Sequence, residues 1–123
     1  RTADFSSASG YAEACALLAL DRPPTAIVVA SDLMALAALQ AMRDFGLTPG
    51  SDVAVVGFDD LEPASLAHPP LTTIRQDRNA LGTLAATRAI EMIEHPDAPV
   101  RSVVVPVELV VRASSSPARA TAS

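Results

Sequence analysis

At 123 residues the chain suits a single domain, and with half its residues hydrophobic it can bury a core. The formal charge is −5, and all nine cations are arginines spread singly from Arg1 to Arg119. No basic stripe exists to neutralise a run of phosphates, so direct nucleic-acid contact by this segment is not expected.

Aromatics are only 3 % of the sequence, so the core must come from Val, Leu, Ile and Ala. The lone Cys15 sits in an Ala/Leu run and reads as a small buried hydrophobe. No apolar run approaches the roughly 18–20 residues of a membrane span. The chain begins at Arg1, not Met, which reads as part of a longer protein.

Taken in order, "SSASGYAEACALLALDRPP" predicts a helix from about Ala8 to Leu20, with Tyr11, Cys15 and Leu18 on one face and Pro23–Pro24 as its stop. "TAIVVA" is a β-branched run and predicts a strand buried on both faces. Ser31 is placed to cap the helix "DLMALAALQAMRDF", and Gly46 suits the left-handed position beyond its end. That helix is apolar nearly all round: Leu33, Leu36, Ala37, Leu39 and Phe45 compete with Met34, Ala38, Ala41 and Met42 for the core. One sheet cannot cover both sets, so the second face is expected on another subunit.

"DVAVVG" predicts the next buried strand. "DLEPASLA" predicts a short helix capped by Asp60, with Pro63 in its first turn. "LTTIRQ" is a short strand. Asp77 caps a long helix over "RNALGTLAATRAIEMIEH", and "VRSVVVP" and "VELVVRA" are two strands broken at Pro106. Residues 114–123 are small and polar and are expected to be disordered. The alternation predicts an α/β fold, a mainly parallel sheet with helices on both faces.

Ligands of such sheets bind beyond the carboxyl ends of the strands. Two polar pairs fall there: Ser31 with Asp32, and Asp59 with Asp60. Carboxylates and a hydroxyl suit a polyhydroxylated ligand or a base. Ser31, Asp32 and Asp60 can all be helix caps or first-turn acids instead. Asp59 lies between strand and helix, where no cap is needed, so it is the candidate ligand contact. No P-loop is possible without Lys, and neither GxGxxG nor GxSxG occurs. His68 and His95 each precede Pro and read as turn residues. A metal-dependent hydrolase using Asp32, Asp59 and Asp60 with a bound divalent ion is a further reading, disfavoured by those helix roles.

The ordered set "PTAIVVASDLMALAALQAMRDFGLTPGSDVAVVGFDD", "PPLTTIRQDRNALGTLAATRAIEMI" and "VVVPVELVVRASS" resembles the LacI/GalR (lactose/galactose repressor) family of transcription regulators. The likeness runs from about Asp4 to Ser115 and implies the C-terminal part of an effector-binding core, a subdomain of a type I periplasmic-binding-protein-like fold. It implies no catalysis, metal or cofactor, and a cleft that takes a small-molecule effector, a sugar. It carries Asp59 over as a ligand carboxylate and Phe5 as an aromatic that stacks on the ligand. Ser31 stands where the family commonly has Asn, a shorter side chain with fewer hydrogen bonds to offer.

The same resemblance implies that residues 1–113 form the effector-binding and dimerisation portion, with 77–105 belonging to a second subdomain otherwise outside this chain. It implies a homodimer through Met34, Ala37, Ala38, Ala41 and Met42 with Leu61 beside them, and a cytoplasmic protein that meets operator DNA only through an N-terminal domain outside this chain. An exported sugar-binding protein of a transporter shares the fold and is the alternative.

Overall fold

The computed structural model describes residues 1–115. The elements are α1 (Ser7–Leu18), β1 (Ala26–Val28), α2 (Asp32–Asp44), β2 (Ala54–Phe58), α3 (Glu62–Leu66), β3 (Thr72–Gln76), α4 (Arg78–Glu94), β4 (Val107–Val110) and a 3₁₀ turn at Ala113–Ser115. The strands form one sheet in the order β1-β2-β3-β4. β1 and β2 are parallel with Val28 opposite Val56, and β2 and β3 are parallel with Val56 opposite Thr72 and Gly57 opposite Thr73. The fold class is the mixed α/β arrangement expected. The chain divides into two units, residues 1–75 with the segment from Leu109 onward, and residues 76–108.

Helix ends follow their local chemistry. Ser6 caps α1 and Ser31 caps α2, each hydroxyl accepting from the backbone N–H three residues on. α2 ends in a Schellman motif: Gly46 N–H donates to Arg43 O, Leu47 N–H donates to Met42 O, and Gly46 takes φ 72°. α3 departs from expectation. Its cap is Leu61, with no side-chain hydrogen bond, and Asp60 is drawn elsewhere by two arginines.

The core of the first unit gathers Leu18, Ile27, Ala35, Leu39, Met42, Val55 and Leu71, with Leu39, Met42, Val55 and Leu71 fully buried. Each such side chain contributes about 1.5–3 kcal/mol through removal from water. The face of α2 that carries Met34, Ala38, Ala41 and Met42 is covered from within the chain, which corrects the expectation that these residues wait for a subunit. α1 packs against α2, and Met34, Ala38, Ala41 and Met42 are at most 4 % exposed. These four cannot form a dimer surface as they stand. The side chain of Ala37 is half-buried, and the exposed apolar residues of α2 are Leu33 and, at its C-cap, Phe45. Tyr11 of α1 donates its hydroxyl proton to Asp44 at 2.7 Å, pinning the two helices at one end.

Three other expectations change. β1 is not buried on both faces: Val28 is 81 % exposed while its neighbour Ile27 is in the core. The stretch 100–106 forms no strand; prolines at 99 and 106 remove donors, and Val100 and Val104 lie exposed. Ser114, assigned to a disordered tail, is fully buried and sits in the 3₁₀ turn; residues 116–123 of that tail lie outside the described residues. In the second unit α4 is capped by Asp77 as expected and buries none of its residues, with Leu81, Ile90, Met92 and Ile93 exposed.

Gly10 sets the spacing of α1 on α2. A Cβ there would lie 2.7 Å from Met34 Cβ and 2.8 Å from its Cα. Replacing Gly by Ala in a helix gains about 1 kcal/mol of propensity, whereas overpacking costs about 1–3 kcal/mol and here the obstacle is partly backbone. Gly10→Ala in the intact protein is therefore expected to lower stability by about 1–2 kcal/mol, read as a lower urea midpoint at unchanged slope.

Candidate functional site

Parallel neighbours end at the same edge of a sheet, so β1 and β2 deliver Ser31 and Asp59 to one rim. The rim is organised around the Asp32 carboxylate, which is fully buried. Thr73 donates its hydroxyl proton to Asp32 Oδ1 at 2.6 Å, and Leu61 N–H donates to Asp32 Oδ2 at 2.8 Å. Thr73 Oγ1 in turn accepts from Asp60 N–H at 3.3 Å. One carboxylate thus ties the first turn of α2 to β3 and to the turn after β2.

Gly57 makes this reach possible. It lies opposite Thr73, on the same side of the sheet, and a Cβ on it would collide with Asp32 Oδ1. Asp32, a candidate ligand contact on sequence, therefore belongs to the frame: both of its oxygens serve the protein. An isolated glycine in an apolar strand is a sign of close approach, and that was the signal available for Gly57. Thr73 carried no such signal, since its partner lies 41 residues away.

The turn held this way is strained. Asp59 takes φ 114° and Asp60 φ 52°, consecutive non-glycine residues with positive φ. Each such conformation costs on the order of 1–3 kcal/mol and persists only where the surroundings over-determine it. Asp59 N–H donates to Ile74 O at 2.9 Å, and Asp59 is partly buried. Asp60 Oδ2 accepts from Arg75 Nε, and Oδ1 from Arg112 Nη2, both at 2.6 Å. Burial works against the Asp60 charge, but hydrogen bonds from Arg112 and Arg75, with their positive charge, outweigh it and hold the carboxyl below its ordinary value.

The other polar face of β3 is also claimed. Thr72 points opposite to Thr73 and clamps the C-terminal segment: Arg112 N–H donates to Thr72 Oγ1 at 2.8 Å, Thr72 Oγ1 donates to Arg112 O at 2.9 Å, and 2.7 Å separates it from Ser115 Oγ. Ser114 Oγ donates to Val55 O at 2.7 Å and accepts from Thr72 N–H at 2.8 Å.

Phe5 also has positive φ, 65°, and is 62 % exposed, so it is not a core residue. Asp4 frames it, accepting from Ser6 N–H at 3.0 Å and Ser6 Oγ at 2.6 Å. The Ser6 and Ser9 hydrogen bonds bring the Asp4 pKa down to about 2. Phe5 lines a groove of about 340 Å³ together with Glu13, Val28, Ala30 and Met34. Neither Ser31 nor Asp59 lines that groove. Ser31, 7 % exposed, accepts from Met34 N–H at 3.4 Å. The structure therefore joins Asp32, Asp60 and the Asp59 turn in one hydrogen-bonded frame, leaves Ser31 as the cap of α2 beside it, and sets Phe5 on the groove beside β1. Among the described residues no group of three His, Cys, Asp or Glu could hold a metal ion, and no helix is long and apolar enough to cross a membrane.

Residues 1–115 match the family model of the periplasmic binding protein-like domain. The chain is 40 % identical over 124 residues to the lactose operon repressor of Escherichia coli K12, covering 100 % of this chain and 34 % of that protein. It is 45 % identical over 109 residues to the transcriptional regulator MalR of Streptomyces coelicolor, 89 % of this chain and 31 % of that one. Among solved structures, a lac repressor dimer bound to operator and the anti-inducer ONPF superposes with TM-score 0.84 at 38 % identity, covering 93 % of this chain and 34 % of that one. A CelR–cellobiose complex gives TM-score 0.85 at 37 % identity, with 91 % of this chain and 34 % of that one covered. The chain spans about a third of the length of these relatives.

Two outcomes follow from the frame. Asp32→Ala would leave the buried Thr73 hydroxyl and the half-buried Leu61 N–H without their acceptor, so a loss of about 2–4 kcal/mol is expected in chemical denaturation. Asp60 has a folded pKa below the ordinary 3.8. Its stabilisation is complete above that value and is lost as pH falls through the lower folded one. The stability gap between wild type and Asp60→Asn should be constant from neutral pH down to about 4 and close below it.

Proposed function

Since the chain belongs to the periplasmic binding protein-like family, in the form that serves LacI/GalR-type regulators as effector-binding core, we propose that it binds a sugar effector in a cytoplasmic transcriptional repressor. The observation that carries this is the Asp59 turn: a carboxylate at a strand tip, in a strained conformation, tied by hydrogen bonds to the fully buried Asp32 and Thr73. Asp59 contributes charge-assisted hydrogen bonds to ligand hydroxyls, Ser31 contributes the capacity its capping role leaves, and Phe5 offers an apolar face to a sugar ring. Asp32 supports from behind. The cellobiose held by the related CelR is the class of ligand this chemistry suits.

The action is a shift between conformations. Effector in the cleft stabilises one arrangement of the core, and operator affinity changes by the same coupling free energy, typically about 1–3 kcal/mol. Operator contact belongs to a domain outside this chain, in keeping with the absence of a basic stripe. The named relatives are transcriptional regulators, which favours this over the exported transport protein. The hydrolase reading loses two of its three acids, because the oxygens of Asp32 and Asp60 already serve internal bonds.

We also place the homodimer surface differently from the sequence expectation. With Met34, Ala38, Ala41 and Met42 inside the chain, the surface is the outward side of α2, Leu33 with the half-buried Ala37, extended by Leu66 and the half-buried Leu61. The Leu61 N–H bond to Asp32 puts the start of α3 beside the first turn of α2. Leu33→Arg combined with Leu66→Arg should convert a dimer to a folded monomer in light scattering.

The effector test is a thermal-shift and calorimetric screen of lactose, cellobiose and other disaccharides on the intact protein and on Asp59→Ala. Losing a charged hydrogen bond of about 1.5–3 kcal/mol should weaken binding by about 10–150-fold. A sugar that binds both proteins equally would remove Asp59 from the site.

A further inference from the structure

Arg112 stands 52 residues beyond Asp60, yet its guanidinium spans two points at the base of the ligand turn. Nη2 donates to Asp60 Oδ1, and Nη1 donates to Leu71 O at 2.8 Å, just before β3. Its side chain is 17 % exposed, against 49 % for Arg75, the other partner of Asp60. Its backbone is fixed independently by Thr72, through the two bonds between Thr72 Oγ1 and the Arg112 N–H and C=O. An arginine anchored at its backbone and forked at its tip is a rigid strut.

The strut ends on the residue next to Asp59. Asp60 sits at φ 52°, in the left-handed region that aspartate tolerates at some cost, and Asp59 at φ 114°, beyond it, which a residue with a side chain keeps only under restraint. Asp32 restrains the turn from one side, through Leu61 N–H and Thr73. The Asp60 side chain is the hold on the other side, and Arg112 is the less exposed of its two partners.

We propose that Arg112 is a positioning residue for the effector site: through Asp60 it fixes the backbone conformation that presents Asp59, without touching the ligand itself. The inference rests on the effector-binding reading for its consequence, but not for its geometry. It also means that the segment 112–115 and the ligand turn are coupled. By linkage, ligand held by Asp59 tightens the docking of that segment, and loss of docking weakens the ligand.

The test separates the two levels. In the intact protein without ligand, hydrogen exchange at the Asp59, Asp60 and Leu61 amides should quicken at least tenfold in Arg112→Met and recover in part in Arg112→Lys. Ser115→Ala, which removes one bond of the same segment but leaves the guanidinium in place, should leave those amides protected. Unchanged exchange in Arg112→Met, or equal loosening in Ser115→Ala, overturns the proposal with no reference to any ligand. The second arm is calorimetry with whichever of lactose or cellobiose stabilises wild type. Arg112→Met and Asp60→Asn should each weaken binding about tenfold, and the double variant should bind no worse than the weaker single. Additive losses, or full affinity in Arg112→Met while Asp59→Ala has lost binding, overturn the positioning role. If Asp59→Ala binds as well as wild type, it is the effector reading that fails, and the exchange results alone decide whether Arg112 holds the turn.

Discussion

The buried carboxylate of Asp32 is the constraint from which the rest of this rim follows. A charge without exposure must be satisfied, and both oxygens find donors on elements distant in sequence. The requirement then propagates. β2 must carry glycine at position 57 for the oxygen to pass. β3 must place a hydroxyl opposite that glycine. The backbone after β2 must turn its Leu61 N–H inward, which throws Asp59 and Asp60 into positive φ. The strain at the candidate site is thus the other end of a hydrogen bond made in the core.

β3 divides its two threonines between two tasks. Thr73 serves the Asp32 frame, and Thr72, pointing the other way, receives the C-terminal segment. Alternation along a strand lets adjacent residues work on opposite layers. Arg112 crosses back from the second layer to the turn built by the first, so the two are joined at Asp60.

Much of this was legible before any coordinates. Helix caps at Ser31 and Asp77, the left-handed Gly46 and the parallel α/β order all rest on local rules, and local rules hold here. What local rules could not show was pairing over distance. The side chain of Asp60 looked like a cap because it precedes a short helix; the two arginines that claim it lie 15 and 52 residues on. The doubly apolar α2 demanded a second cover, and the sequence did not say that α1 supplies it. The signal was Gly10, the small residue that lets the two helices approach. Val28 shows the opposite limit: a β-branched run identifies a strand, but which face is covered depends on what else surrounds it.

Ser114 has a consequence for how the chain is made. Its hydroxyl bridges β2 and β3 by taking the Val55 carbonyl and the Thr72 amide, over a separation of 59 residues from Val55. Between the two strands it joins and Ser114 lies the whole of the second unit, residues 76–108. On a ribosome these strands emerge first and must wait, with an amide and a carbonyl unpaired, until some 40 further residues have been added. At roughly 5–20 residues per second that is an interval of seconds. Closure of this part of the sheet is therefore set by synthesis of the C-terminal segment and not by the strands themselves.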